Sequence, residues 1–177
     1  DIKTGNYAQA LVNYEISLSL KTSINDLLGS STVLNNIANV YLMYNDHENA
    51  LSIYEKSLSL CRTISYTVGS AEVLINIGNT YGMMKRYAEA LEYHTHSLEC
   101  YRKLPFRFKT ALAMHNVAFG LIETGNVEEG LNLALECLQL RTDIQDIKGK
   151  AATSLIIAKA YKNRGDFTNA LLYGLDG

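Results

Sequence analysis

The chain has 177 residues, 47% of them hydrophobic and 19% charged, enough for one compact domain or a short repeat array with a genuine core. Its 16 basic and 18 acidic residues leave a formal charge of -2, so neither a nucleic-acid partner nor an anionic membrane surface is indicated. One proline, Pro105, among 12 glycines and the lack of valine-rich alternating runs argue against a sheet protein and for helices joined by short turns.

In chain order, turn-like segments come at Gly5-Asn6-Tyr7, Asn45-Asp46-His47, Lys85-Arg86-Tyr87, Gly125-Asn126-Val127 and Gly165-Asp166-Phe167, spaced 40 residues apart without insertion or deletion. After each turn a small residue and a leucine recur: Ala10-Leu11, Ala50-Leu51, Ala90-Leu91, Gly130-Leu131 and Ala170-Leu171. With Tyr14, Tyr54, His94 and Ala134, and with Leu18, Leu58, Leu98 and Leu138, they fall on one stripe of an amphipathic helix. These second-type helices are predicted near 7–22, 47–62, 87–102, 127–142 and from 167 onward. Before each later turn lies another helical pattern, Leu34-Ile37-Ala38-Tyr41, Leu74-Ile77-Gly78-Tyr81, Met114-Val117-Ala118-Leu121 and Ser154-Ile157-Ala158-Tyr161, giving first-type helices near 28–43, 68–83, 108–123 and 148–163. The small column Ala38, Gly78, Ala118 and Ala158 predicts close helix approach against Ala50, Ala90 and their equivalents, since a glycine inside a helix costs roughly 1 kcal/mol against alanine. Gly29, Gly69 and Gly149 recur at the starts of first-type helices, where backbone freedom is expected to serve the connection.

Leu34, Ile37, Ala38, Tyr41, Ala50 and Tyr54, repeated as Leu74, Ile77, Gly78, Tyr81, Ala90 and His94, resemble the tetratricopeptide repeat pattern of a large residue, Leu, Gly and Tyr followed by Ala and an aromatic. The resemblance covers essentially the whole chain. It departs in a period of 40 rather than 34 and in Arg62 and Arg102 standing where a closing proline is usual. The six extra residues lengthen both helices of each pair, similar to the long repeats of Partner-of-Inscuteable-type scaffolds, bacterial sensor arrays and Rap-type peptide receptors. The resemblance implies an all-α, right-handed α-solenoid of antiparallel helix pairs, one array over 1–177 with a leading helix at 7–22 and repeats near 28–62, 68–102, 108–142 and 148–177. Both ends are expected to be cut from a larger protein.

In such arrays the first-type helices line the concave face. Stepping along them gives Thr32, Asn36, Asn39 and Met43, then Glu72, Asn76, Asn79 and Met83, then Leu112, Asn116, Phe119 and Glu123, then Ala152, Ile156, Lys159 and Asn163. Asn36, Asn76 and Asn116 form a ladder. Asparagine is a poor helix former, and its carboxamide offers donors and an acceptor suited to the main chain of a bound peptide. The other reading is that these amides bond across adjacent helices and order the stack. Leu112, Phe119 and Ile156 are candidates for an apolar pocket beside the polar clamp, with Lys159 at its edge. The stripe is mostly neutral, which argues against a clamp for a C-terminal carboxylate. A basic group, Lys148, Lys150, Lys159, Lys162 and Arg164, suits either an acidic segment or plain solvation.

No chemistry is indicated. His94 and His96 stand two apart and cannot form an i, i+4 metal pair, and Cys61, Cys100 and Cys137 lack zinc spacings and read as reduced cytoplasmic thiols. No cofactor, no metal and no catalytic residue are assigned, and no membrane-spanning run is found. The expected role is a non-enzymatic interaction or sensor module binding a peptide or helical segment. The rival is a spacer or dimerisation element beside a catalytic signalling domain, pairing through Leu11, Tyr14 and Leu18 of the leading helix.

Overall fold

A computed structural model describes residues 2–175, and side chains from residue 7 onward. Nine α-helices and no strand occur among the described residues: α1 Ile2–Ser23, α2 Leu27–Met43, α3 His47–Thr63, α4 Thr67–Met83, α5 Tyr87–Arg102, α6 Arg107–Glu123, α7 Val127–Asp143, α8 Ile147–Asn163 and α9 Phe167–Leu175. Backbone contacts divide the chain between Lys85 and Arg86 into two compact units. The first holds α1 to α4 and the second α5 to α9, each built from sequential antiparallel helices.

The helix ends fall within one residue of the ranges read from periodicity except at α1. There the expected turn at Gly5-Asn6-Tyr7 is instead helical, and α1 runs for 22 residues. Its counterparts at 45, 85, 125 and 165 each reverse the chain after a first-type helix.

The turns themselves show a shorter period than the sequence suggested. Asn25, Asn45, Ser65, Lys85, Gly125, Gln145 and Gly165 all take positive φ, one every 20 residues with a single omission. Each ends a helix. In the turn after α2, the Asp46 N–H donates to the Tyr41 carbonyl at 3.0 Å and the Asn45 N–H to that of Leu42 at 2.9 Å, the paired bonds of a Schellman cap. Pro105 occupies the omitted position. Its ring fixes φ near -65° and it has no N–H, so this left-handed cap cannot form, and α5 closes through the Leu104 N–H to the Tyr101 carbonyl at 3.0 Å.

Aspartates cap some of the helix starts, whereas α4 to α7 have no side-chain cap. Asp26, Asp46 and Asp146 accept the N–H three residues on, at 2.8, 3.2 and 2.9 Å, satisfying a donor that the first helical turn leaves free. Gly29 and Gly149 donate to these caps and Gly69 stands at the matching place in α4 after Tyr66, and the reason expected for the three is overturned. None has positive φ. A methyl group at Gly29 would run into Asp26 and Lys21, at Gly69 into the Tyr66 ring, and at Gly149 into the Arg141 guanidinium and Asp146. Close side-chain approach, not backbone freedom, is what these positions share.

The core follows fixed columns. Ala50, Tyr54, Ser57, Leu58 and Cys61 are the buried face of α3, and Gly130, Leu131, Ala134, Cys137 and Arg141 that of α7. Ser57 Oγ donates to the Ser31 carbonyl at 2.7 Å, and 80 positions later Cys137 Sγ donates to the Ala111 carbonyl at 3.1 Å. The same helix-to-helix bond is thus made by a hydroxyl in one unit and a thiol in the other. Small faces small where α6 meets α7. A Cβ on Gly130 would lie 2.9 Å from the Ala118 carbonyl oxygen, 3.1 Å from the Ile122 amide nitrogen and 2.7 Å from Ile122 Cγ1. Gly130→Ala is therefore expected to destabilise the protein by about 1–3 kcal/mol despite alanine's better helix propensity, because backbone rather than a pliant side chain must yield. A denaturation midpoint equal to or above wild type would show that α7 can move away freely.

Candidate partner-binding face

Within each unit the first-type helices approach one another, α2 with α4 and α6 with α8, whereas α5 and α7 make no comparable contact. In the second unit the first-type helices thus lie on the inner side of the curve. Their solvent-facing side chains form the candidate face.

In the first unit, Asn76 Nδ2 donates to Asn35 Oδ1 at 2.9 Å, tying α4 to α2. The hydroxyl of Tyr54 on α3 donates to Asn39 Oδ1. Tyr54 is fully buried, and burial pushes its phenol up to about 12, so it stays a donor throughout the ordinary pH range. Asn39 therefore has its oxygen engaged and its amide protons left over. Asn36, half-buried, makes no side-chain bond to the described protein, and Asn79 is exposed. Met43 and Met83, 62% and 60% exposed, end the two helices on this face. A small cleft of about 170 Å³ opens beside it, with Thr32, Asn35 and Glu72 at its mouth and Ser57 and Cys61 at its base. Asn35 was not singled out from the sequence. Its only signal is that it doubles the Asn36 position.

In the second unit, Leu112, Asn116 and Phe119 are half-buried on α6. Phe119 packs against the core cluster of Ala118, Ile122, Leu131 and Ile157, and meets the Tyr87 ring edge-on with centroids 6.0 Å apart. Lys159 on α8 pairs with Glu123 and places its ammonium 5.4 Å from the Phe119 centroid, a cation held over an aromatic face. Ile156 is a correction: it belongs to the core cluster and is only 8% exposed. The solvent-facing run of α8 is Ala152, Leu155 and Lys159, which leaves Ile156 on the core side. Its neighbour Leu155 is the exposed one of the pair, at 54%. Of the basic group, Arg164 pairs with Glu128 at 3.0 Å, while Lys148 and Lys162 are exposed and unpaired.

The stripe expected for self-association also shifts. Leu11, Tyr14 and Leu18 are turned inward and half-buried, Leu18 lining a cleft with Leu27, Leu34 and Leu60. The exposed aliphatic row of α1 is Val12, Ile16 and Leu20, from 49% to 64% exposed, continued by Ile24 at 71%. Among the described residues no three His, Cys, Asp or Glu side chains gather as metal ligands, and no helix is long and apolar enough to cross a membrane. All three cysteines are free, with Cys61 and Cys137 buried.

Models of the tetratricopeptide repeat match residues 2–63, 46–103 and 69–120, and a further one matches 110–144. The chain belongs to the tetratricopeptide repeat family. That fold is typically a non-catalytic protein-interaction scaffold. Solved structures share its fold at low identity. BtubC (BKLC) from P. vanneervenii is 18% identical with a TM-score of 0.89, over 97% of this chain and 72% of that one. A signal transduction ATPase with numerous domains and a tetratricopeptide repeat sensor, from Pyrococcus horikoshii, gives 19% and 0.87 over 96% of this chain but 26% of its own. The Rap conjugation gene regulator of plasmid pLS20, solved in complex with the Phr* peptide, gives 19% and 0.70 over 86% and 42%. No curated protein matches the chain in sequence.

Proposed function

We propose that this chain is a cytoplasmic peptide-binding module of a signalling or scaffold protein, taking an extended or helical segment of a partner on its first-helix face. The observation that carries this reading is the division of labour among the first unit's asparagines. Asn76 is spent on Asn35 and Asn39 on Tyr54, which fixes the stack, while the Asn36 carboxamide on the same face makes no bond to the described residues. A half-buried amide with no protein partner and open to water offers donors and an acceptor that a peptide main chain would engage in place of solvent. Asn79, Asn116, Leu112, Phe119 and Lys159 are proposed to extend the contact. A Rap regulator similar in fold is solved in complex with a peptide, which supports a peptide as the class of ligand.

The test compares wild type with Asn36→Ala and with the Asn36, Asn76, Asn116 triple alanine variant, folding being checked by circular dichroism. A specific protein is to be captured from native lysate, and the peptide mapped from it titrated directly. Asn36→Ala is expected to weaken that peptide about 5- to 20-fold, the worth of one or two hydrogen bonds in a desolvated site. Unchanged affinity in both folded variants would make the amides purely structural. The second reading, dimerisation, rests on the exposed α1 row. It would be preferred if wild type captured nothing and sedimented as a dimer that Leu20→Glu dissociated.

A further inference from the structure

On the opposite side of the second unit, α5 and α7 diverge over α6 and leave a cleft of about 390 Å³, larger than either cleft described above. Its floor is apolar, Val117 and Leu121, and its α5 wall carries Leu91, Thr95 and Leu98 with Arg102 at one end. Its α7 wall carries Leu133 between Glu129 and Glu136, one turn away on either side. Both glutamates are exposed and neither has an ion-pair or hydrogen-bond partner in the described protein. Glu92 and Glu99, also exposed and unpaired, add to the acidity of α5, and Arg102 is the one cation lining the cleft. The lined part of α5, from Leu91 to Arg102, spans about 16 Å, or three helical turns.

We propose that this cleft is a second, outward-facing docking groove for a basic amphipathic helix of a partner protein. Leucines at i, i+3 or i+4 and i+7 would fill the floor, and lysines or arginines on one flank would meet Glu129 and Glu136. The groove's chemistry selects this occupant. The apolar floor calls for an amphipathic face, and unpaired carboxylates on an accessible rim steer and hold cations while repelling an acidic helix. The inference is independent of the first-helix face, which lies on other side chains.

The probe is a synthetic 15-residue amphipathic helix carrying leucines in that spacing and lysines elsewhere on its polar face, with a matched peptide in which every lysine is glutamate. Fluorescence anisotropy with the whole chain is expected to show saturable binding of the lysine peptide, weakened by raising salt, and at least tenfold poorer binding of the glutamate peptide. Glu129→Lys with Glu136→Lys, both at exposed positions, is expected to weaken the lysine peptide at least tenfold while the Asn36, Asn76, Asn116 alanine variant binds it as wild type does. Absence of saturable binding, equal binding of the two peptides, or indifference to the double charge reversal would each overturn the proposal. So would a wild-type dimer that shields the cleft, since a second copy would then be its occupant.

Discussion

Asp146→Ala is expected to cost about 3–5 kcal/mol, the largest loss from any single polar substitution in this chain. Asp146 performs two tasks. Its Oδ1 caps α8 by accepting the Gly149 N–H at 2.9 Å, and its Oδ2 faces Arg141 Nη1 at 3.4 Å. The two side chains are only 6% and 14% exposed. Removing the carboxylate leaves a guanidinium stranded without its counter-ion in the core, on top of a lost cap. Asp26 caps α2 in the same geometry and pairs with Lys21 at 2.7 Å, but those side chains are 41% and 30% exposed. Hydrogen bonds from Lys21 and then from the Gly29 N–H hold the Asp26 carboxyl below the usual carboxylate range. Water can still solvate Lys21 when Asp26 is removed, so Asp26→Ala should be markedly milder. Because repeat arrays need not unfold in one step, denaturation midpoints should be read together with hydrogen exchange of the α8 amides. Equal losses for the two alanine variants would show that water reaches Arg141 in the folded state. Asp146→Asn, which keeps the cap and removes the charge, should fall between wild type and alanine.

Stability is also expected to fall by about 2–3 kcal/mol between pH 6.5 and 4 through one imidazole, that of His115. Burial first, and the nearby Arg141 charge second, lower its pKa from 6.5 to about 4. Thr153 gives its hydroxyl proton to the Gly149 carbonyl at 2.9 Å, so at 3.3 Å it receives the Nδ1 proton of a neutral His115. As the pH drops, the unfolded chain takes up a proton near 6.5 while the folded chain resists until about 4. The contribution of the neutral ring is therefore whole above the first value and lost progressively toward the second. His115→Gln keeps a donor for Thr153 and cannot titrate, so its stability should be flatter across that interval. An unchanged slope in the variant would assign the acid sensitivity to other groups. Cys137, in the same buried cluster, has its thiol raised by burial and should react slowly with disulfide reagents in the folded state.

The helices, their pairing and the family are legible in the residues alone. Apolar residues at 3.6-residue spacing, repeated every 40 positions, bury a usable face only as antiparallel helix pairs, and the columns of Ala38 with Ala50 and of Ala118 with Gly130 encode how near the pairs come. The 20-residue rhythm of left-handed turns was hidden because Asn25, Ser65 and Gln145 carry no common turn signal. That conformation is imposed by the Schellman bonds of packed helices, which non-glycine residues adopt at some local cost.

Which of two nearby positions faces solvent is settled by packing. Ile156 and Leu155, or Leu18 and Leu20, are each chemically alike, and a rotation of less than half a turn about the helix axis separates core from surface. That rotation is set by the contacts of adjacent helices, not by local spacing. The same holds for the asparagines. Asn35, Asn36, Asn39 and Asn76 are one residue type on one face, yet a bond from α4 and another from α3 engage three of them and leave Asn36 unbonded, since only the packed neighbours determine which amide finds a partner.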